Sequence, residues 1–269
     1  MKKALLSFTL FIVGTMILFS APLRVVVISP TAVGTIQYLG ESNTIVGTSQ
    51  YSTVSGAKVV GNMTNPNVTE IAMLNPNYVI VDSYTSQQVV AQLQNLKIPV
   101  LVINQSYTLN GAYDSMRSVA AIYGKMTQIN QLIAKMNGLM AKNSKKSSIT
   151  LYYMLSYGRQ GDFSINNSTF TSQIIENLGM QNIMANTPTN EVSRTDLMMK
   201  NPTVIVVSSG SMGDNPITLS QLKSTSPYNQ LSAVQKGKVY FVDSDTADEP
   251  GPNMLALIQF LIGVKNANQ

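Results

Sequence analysis

The chain has no cysteine and no histidine in its 269 residues. Thiolate and imidazole are the usual protein ligands of zinc, copper and haem iron, so a bare transition-metal site here would have to draw on carboxylate, tyrosine or backbone oxygens. The same absences exclude catalysis by serine–histidine and cysteine–histidine arrangements. They also exclude a lipid-modified cysteine as a membrane anchor, and they leave the redox compartment open.

Charge is scarce as well. Charged residues make up 12% of the chain against 44% hydrophobic ones, about half the charge content of an average soluble domain. Ser, Thr, Asn, Gln and Tyr must therefore cover much of the surface. The net charge of +5 comes from few charges rather than from basic clusters. The densest basic stretch, Lys142-Asn143-Ser144-Lys145-Lys146, reads as a solvated helix end. Four arginines in the whole chain argue against recognition of a nucleic-acid backbone.

What is present begins with a leader. Lys2-Lys3 precede an apolar run from Ala4 to Phe19, the layout of a signal peptide or an uncleaved signal anchor over 1–21. Either places the remainder at the outer face of the cytoplasmic membrane, periplasmic or extracellular. Five Asn-x-Ser/Thr sequons, at Asn62, Asn67, Asn104, Asn166 and Asn167, fit an exported chain.

A distant internal repeat follows. TEIAMLNPNYVIV, from Thr69, returns as TDLMMKNPTVIVV, from Thr195, at a constant offset of 126 residues. Each reads as a short helix stopped by Asn-Pro and followed by a buried strand. The flanks match too. Leu23 to Ser29 and Ile149 to Leu155 read as opening strands, and Ile98 to Ile103 and Lys238 to Asp243 as later ones. Gln87 to Leu96 and Thr169 to Leu178 read as helices. Two small α/β lobes with mostly parallel sheets are the economical reading. Between them, Met116, Val119, Ala120, Tyr123, Met126, Ile129, Ile133, Met136 and Met140 recur at helical spacing. This predicts one continuous helix of about 45 Å at 1.5 Å per residue, a stiff spine between the lobes. The expected organisation is an N-terminal lobe over 22–109, a linking helix over 110–146 and a C-terminal lobe over 147–269.

The order of short motifs carries a resemblance. Leu23 to Pro30, then Leu39-Gly40, Ile45-Val46-Gly47, Val60-Gly61, Asn65-Pro66-Asn67 and Leu74-Asn75-Pro76-Asn77 resemble the iron-siderophore and vitamin B12 family of ABC-transporter substrate-binding proteins. So do Thr169-Phe170, Ile174 to Gly179, Asn182, Glu191-Val192-Ser193, Asn201-Pro202, Gly237-Lys238-Val239-Tyr240 and Pro250-Gly251-Pro252. The resemblance runs from about Leu23 to Gly263. It implies two Rossmann-like lobes joined by a long backbone helix, with the ligand in the cleft between them. It further implies that an acidic residue at the start of each short helix docks on a membrane permease. Here Glu70 and Asp196 are the candidates, one residue later than the family's pattern, which falls on Thr69 and Thr195. A threonine hydroxyl capping the helix, with the acid against the helix dipole, is the plain alternative.

Ligand-facing positions follow the same resemblance loosely. In the first lobe they are Tyr51, Met63 and Tyr84. In the second they are Tyr157, Arg159, Phe163, Ser209, Met212, Asp245 and Glu249, all in loops after strands. The implied function is non-enzymatic capture of an Fe(III) chelate (a siderophore) or a corrinoid by a monomer, with no cofactor and no protein-held metal, and delivery to an ABC permease. A metal-ion receptor of the same fold is one rival. A second is an exported hydrolase using the acidic cluster Asp243, Asp245, Asp248 and Glu249. A third is a surface scaffold that kept the fold and lost the ligand.

Overall fold

A computed structural model describes residues 22–104, 107–158, 161–209 and 217–269, with the side chain of Asp245 outside the description. The leader thus lies outside the described residues, as do Arg159 and Met212. Among the described residues no helix is long and apolar enough to cross a membrane.

The first sheet contains β1 (Val25–Val27), β2 (Ile45–Thr48), β3 (Lys58–Val59), β4 (Tyr78–Asp82) and β5 (Val100–Ile103), in the order β3-β2-β1-β4-β5 with every pairing parallel. The three valines of β1 are wholly buried because they are covered on both faces. Val25 and Val27 join the cluster under Ile36 and Val119, while Val26 joins the one under Ile71 and Leu93. That two-sided burial is why the strand reads as an unbroken β-branched run. Helices α1 (Pro30–Tyr38), α2 (Val68–Met73) and α3 (Gln87–Asn95) supply the layers. Ser29 caps α1 by accepting from the Ala32 N–H at 3.4 Å, with Pro30 at the first helical position, where its missing N–H costs nothing.

The predicted single spine is corrected. The chain forms α4 (Leu109–Ile122) and α5 (Met126–Lys142), broken at Gly124, whose φ of 63° is left-handed. Lys125 N–H returns to the Ala120 carbonyl at 2.9 Å and Gly124 N–H to Ala121 at 3.2 Å, the double bond pattern that closes a helix at a left-handed glycine. The two helices then run back along each other, since Tyr113 donates to Asn137 at 2.9 Å and Arg117 to Asn130 at 3.2 Å. The apolar stripe crossed the turn unbroken because both helices bury it, in one cluster holding Met116, Ala120, Ile129, Ile133 and Met136. Helix α4, about 21 Å long, packs against both α1 and the helix that follows the second sheet's first strand, and α5 reaches α1 as well, Gln128 donating to the Tyr38 carbonyl at 3.3 Å.

The second sheet contains β6 (Thr150–Met154), β7 (Gln181–Asn182), β8 (Val204–Ser209) and β9 (Val239–Asp243), parallel throughout in the order β7-β6-β8-β9. Around it lie α6 (Phe170–Asn177), α7 (Arg194–Lys200), α8 (Leu219–Ser224), α9 (Ser232–Gln235), α10 (Ser244–Ala247) and α11 (Met254–Asn266). Lys265 fastens α11. Its buried ammonium donates to the carbonyls of Asn143, Lys145 and Leu178 at 2.6–2.7 Å, and burial, with Lys145 nearby, pushes its pKa down.

The repeated stretch performs one task twice. In each lobe a short helix ends at an asparagine in the left-handed region, Asn75 (φ 46°) and Asn201 (φ 35°), and the chain then turns through proline into the central sheet. The next residue ties back to the start of the lobe's first strand. Asn77 N–H donates to the Arg24 carbonyl at 2.7 Å and Thr203 N–H to the Thr150 carbonyl at 3.0 Å, and both donors and both acceptors are 126 positions apart. The expected threonine caps are corrected as well. Asn67 caps α2, accepting from Glu70 N–H at 3.1 Å, and Ser193 caps α7, accepting from Asp196 N–H at 3.3 Å. Thr69 and Thr195 stand second in their helices, and the acids third.

Candidate functional site

In parallel sheets the carboxyl ends of the strands all open on one side, where the loops can meet a ligand. In the first lobe this edge carries Thr31 after β1, Tyr51 after β2, Tyr84 after β4 and Tyr107 after β5. In the second it carries residues 155–158 and 161–165 after β6 and the 244–253 segment after β9. The two edges meet. Thr31 Oγ1 donates to Glu249 Oε2 at 3.4 Å, Leu109 N–H donates to Gln173 Oε1 at 2.9 Å, and Phe170 N–H donates to the Tyr107 carbonyl.

Two cavities lie along this junction. One of about 400 Å³ is lined by Tyr107, Leu155, Ile165, Phe170, Thr171 and Asp248 among others, and its walls are mainly apolar. Another of about 240 Å³ lies between Thr31, Gln37, Tyr51 and the Glu249-Pro250-Gly251 turn. The first falls within the range of small-ligand pockets, about 300–1,000 Å³. Tyr51 and Tyr84 present rings 59% and 51% exposed, large apolar faces left open beside a cleft.

Oxygen atoms gather at the strand ends of the first lobe, exposed in the tyrosines and buried behind them. The Tyr84 and Tyr107 hydroxyls are 3.3 Å apart. Burial, then the Tyr84 phenol, and then the charges of Glu249 and Asp82 push Tyr107 up to about 12. Asp82 is fully buried at the end of β4, and neither carboxylate oxygen completes a hydrogen bond. Burial pushes its carboxyl up, and the Ser29 hydroxyl beside it offsets only part of that. The buried hydroxyls of Thr48 and Ser49, at the end of β2, make no hydrogen bond either. Among the described residues no group of three or more aspartates and glutamates could hold a metal ion.

The second lobe's loop is built around Asp162. Its buried carboxylate accepts from Arg194 Nε at 2.6 Å and Nη2 at 3.1 Å, from Tyr228 at 2.5 Å, and from Gly158 N–H at 2.9 Å. Burial alone would raise its pKa, but these bonds outweigh it and hold the group below the usual carboxyl value. Tyr157 stacks edge-on against the Tyr228 ring at 5.2 Å and 69°, so one of its faces is already committed to the lobe's interior. Phe163 pairs by backbone with Ser156, and Val192 N–H with the Asp162 carbonyl at 2.7 Å.

The sequence-predicted positions therefore divide. Tyr51, Tyr84 and Glu249 stand at the junction, and Tyr157 and Phe163 are in the loop that faces it. Met63 packs into the first lobe's interior, and its carbonyl accepts from Thr85 at 2.8 Å. Ser209 donates to the Val242 carbonyl at 3.0 Å, tying β8 to β9. The guanidinium that holds Asp162 is that of Arg194, from the first turn of α7, which sequence reasoning missed. Tyr107, Asp82 and Phe170 were missed too, although Tyr107 follows β5 as Tyr84 follows β4. Within the acidic cluster, Asp248 accepts from Tyr153 at 3.1 Å and Ser208 at 2.7 Å, bracing β6 and β8.

Two α/β lobes thus meet at the carboxyl ends of their parallel strands, with tyrosines along the junction, the architecture of a two-lobed binding protein. The chain belongs to the periplasmic binding protein family, whose model matches residues 25–246. It is 23% identical over 252 residues to the cobalamin-binding protein of Halobacterium salinarum, a match covering 88% of this chain and 67% of that one. It is also 23% identical over 193 residues to the Fe(3+)-citrate-binding protein of Bacillus subtilis, covering 70% and 60%. Among solved structures, the periplasmic haem-binding protein HutB of Vibrio cholerae superposes with a TM-score of 0.77 at 19% identity, over 91% of this chain and 99% of that one, a likeness of fold.

Proposed function

We propose that this chain is the extracytoplasmic receptor of an ABC importer, capturing an iron chelate (a siderophore) or a cobalamin between its lobes and delivering it to the membrane permease. The observation that carries this reading is the junction itself. Tyr107 lines the larger cavity with Leu155, Ile165 and Phe170, Tyr51 lines the smaller one, and Tyr84 stands exposed beside Tyr107 with their hydroxyls 3.3 Å apart, aromatic surface that suits stacking on a large, partly apolar ligand. The names of the relatives in two ligand classes point the same way. No cofactor of the chain's own enters the account. In this reading the leader holds or exports the chain at the outer face of the membrane, and Glu70 and Asp196, each third in its capped helix, meet cationic residues of the permease.

The Tyr84 and Tyr107 hydroxyls, 3.3 Å apart and within reach of the Glu249 charge, place oxygen donors at the junction, and they keep a metal-ion receptor as the second reading. Native mass spectrometry of the full-length chain against cobalamin, ferric citrate, a hydroxamate and a catecholate siderophore, and free ferric ion separates the two. A chelate complex supports the first reading. Binding of free ion alone supports the second.

A further inference from the structure

Two side chains far from the ligand cleft's tyrosines stand out by exposure. Met73 is 72% exposed and Met199 is 74% exposed, the highest values for large apolar side chains among the described residues. A single exposed apolar residue is ordinary. These two, however, occupy the same place in the repeat, 126 residues apart. Each ends or nearly ends a short helix, two residues before the left-handed asparagine and three after the acid, Glu70 or Asp196. Residues three apart on a helix share a face. Each lobe thus displays one carboxylate and one methionine side by side, while Ile71 and Leu197, fully buried, hold the opposite face of the same helix in the core.

We propose that Met73 and Met199 are the apolar anchors of a docking surface for the importer's permease, each entering a hydrophobic recess that the permease presents twice, with Glu70 and Asp196 beside them setting register. The proposal rests on the importer reading above and adds the contact that would supply its affinity. A feature duplicated in two related lobes fits a partner that offers one contact in two copies about an approximate two-fold axis. The adjoining carboxylates disfavour an anionic lipid surface as the occupant. Glu70 is only loosely paired, with Lys58 at 3.7 Å, and Lys200 next to Met199 turns its ammonium to the Ile183 carbonyl at 2.6 Å, so neither methionine sits under a strong local cation. Methionine suits the role, since its unbranched, polarisable chain adapts to an irregular recess.

The test is oxidation footprinting with limiting hydrogen peroxide, read by peptide mass spectrometry. The full-length chain is examined alone, with empty nanodiscs, and with nanodiscs holding an ABC permease and its ATPase from the same organism. Met73 and Met199 should oxidise fastest in the free chain, and the wholly buried Met116 and Met136 slowest. Permease nanodiscs should slow oxidation of both exposed methionines about tenfold, leaving the partly exposed Met126 unchanged. Replacing both by glutamate should weaken permease binding by about a hundredfold at unchanged ligand affinity, whereas Met73→Leu with Met199→Leu should keep it within a few-fold. Equal protection by empty nanodiscs would assign the pair to lipid, and protection that grows with protein concentration alone would assign it to a second copy; either overturns the proposal. Permease binding that leaves both methionines unprotected removes this inference alone. A wild-type chain that does not bind the permease removes the importer reading with it.

Discussion

Arg194 grips both carboxylate oxygens of Asp162, Nε lying 2.6 Å from Oδ2 and Nη2 3.1 Å from Oδ1. The aspartate belongs to the loop facing the cleft and the arginine opens α7, the helix that also carries Asp196 and Met199. One ion pair therefore joins a ligand-facing loop to the helix assigned to docking. Its carboxylate side is buried and its guanidinium side is 47% exposed.

Removing the arginine strands a buried charge. Arg194→Leu should destabilise the chain by about 2 to 4 kcal/mol at pH 7, less than for a fully buried pair because the guanidinium is half in solvent. Asp162 has its folded pKa depressed below the ordinary 3.8, so the pair's contribution is complete above that value and is lost as pH falls through the lower folded value. Urea denaturation of wild type and variant at pH 7 and pH 3 checks this. A difference that persists unchanged at the lower pH contradicts it.

Asp82 should behave in the opposite sense. Its folded pKa is raised, so its contribution is present below the unfolded value and lost as pH rises through the folded one. Asp82→Asn, which keeps the shape and removes the charge, should raise stability at pH 7 by about 1 to 3 kcal/mol, with the gain vanishing toward pH 3. Thermal melts across that range give the answer, and a variant that is less stable at pH 7 would show that the charge is matched inside the folded chain.

The left-handed asparagines give a local test. Asn75→Gly should be neutral or slightly stabilising, whereas Asn75→Ala should cost about 1 to 2 kcal/mol, the usual penalty for a Cβ in that region; at Asn201, whose Oδ1 also accepts from Ser232 N–H at 2.9 Å, glycine should cost some stability and alanine more. Equal effects of glycine and alanine at Asn75 in chemical denaturation would rule out backbone conformation as the reason for asparagine there.

Much of this architecture was legible. The repeat at Thr69 and Thr195 marked two lobes because turn, proline and buried strand each leave a sequence trace, and β1, β4, β6 and β8 fell where apolar runs stood. The break at Gly124 was not legible, because α4 and α5 bury one continuous stripe and periodicity alone does not record a reversal of direction. Within the site, Tyr51 and Tyr84 could be placed because they follow strands. Arg194 could not, since its partner Asp162 lies 32 positions away and only folding brings them together. Asp82 stands just past the apolar run that marked β4, and its full burial, with the Ser29 hydroxyl beside it, is a property of the folded interior.

The cleft is where the account is most exposed to test. Tyr51→Ala and Tyr84→Ala should each weaken ligand binding by about 1 to 3 kcal/mol without lowering stability, since both rings are more than half exposed. Tyr157→Ala should lower both, because its ring also packs on Tyr228. The direct measurement is native mass spectrometry of the full-length chain with cobalamin and the ferric chelates, followed by titration of the ligand retained. The account predicts a one-to-one complex with a chelate or a corrinoid that is about tenfold or more weaker in the Tyr51→Ala, Tyr84→Ala double variant. A complex of undiminished affinity in that variant, or no complex with any of these ligands, would contradict it.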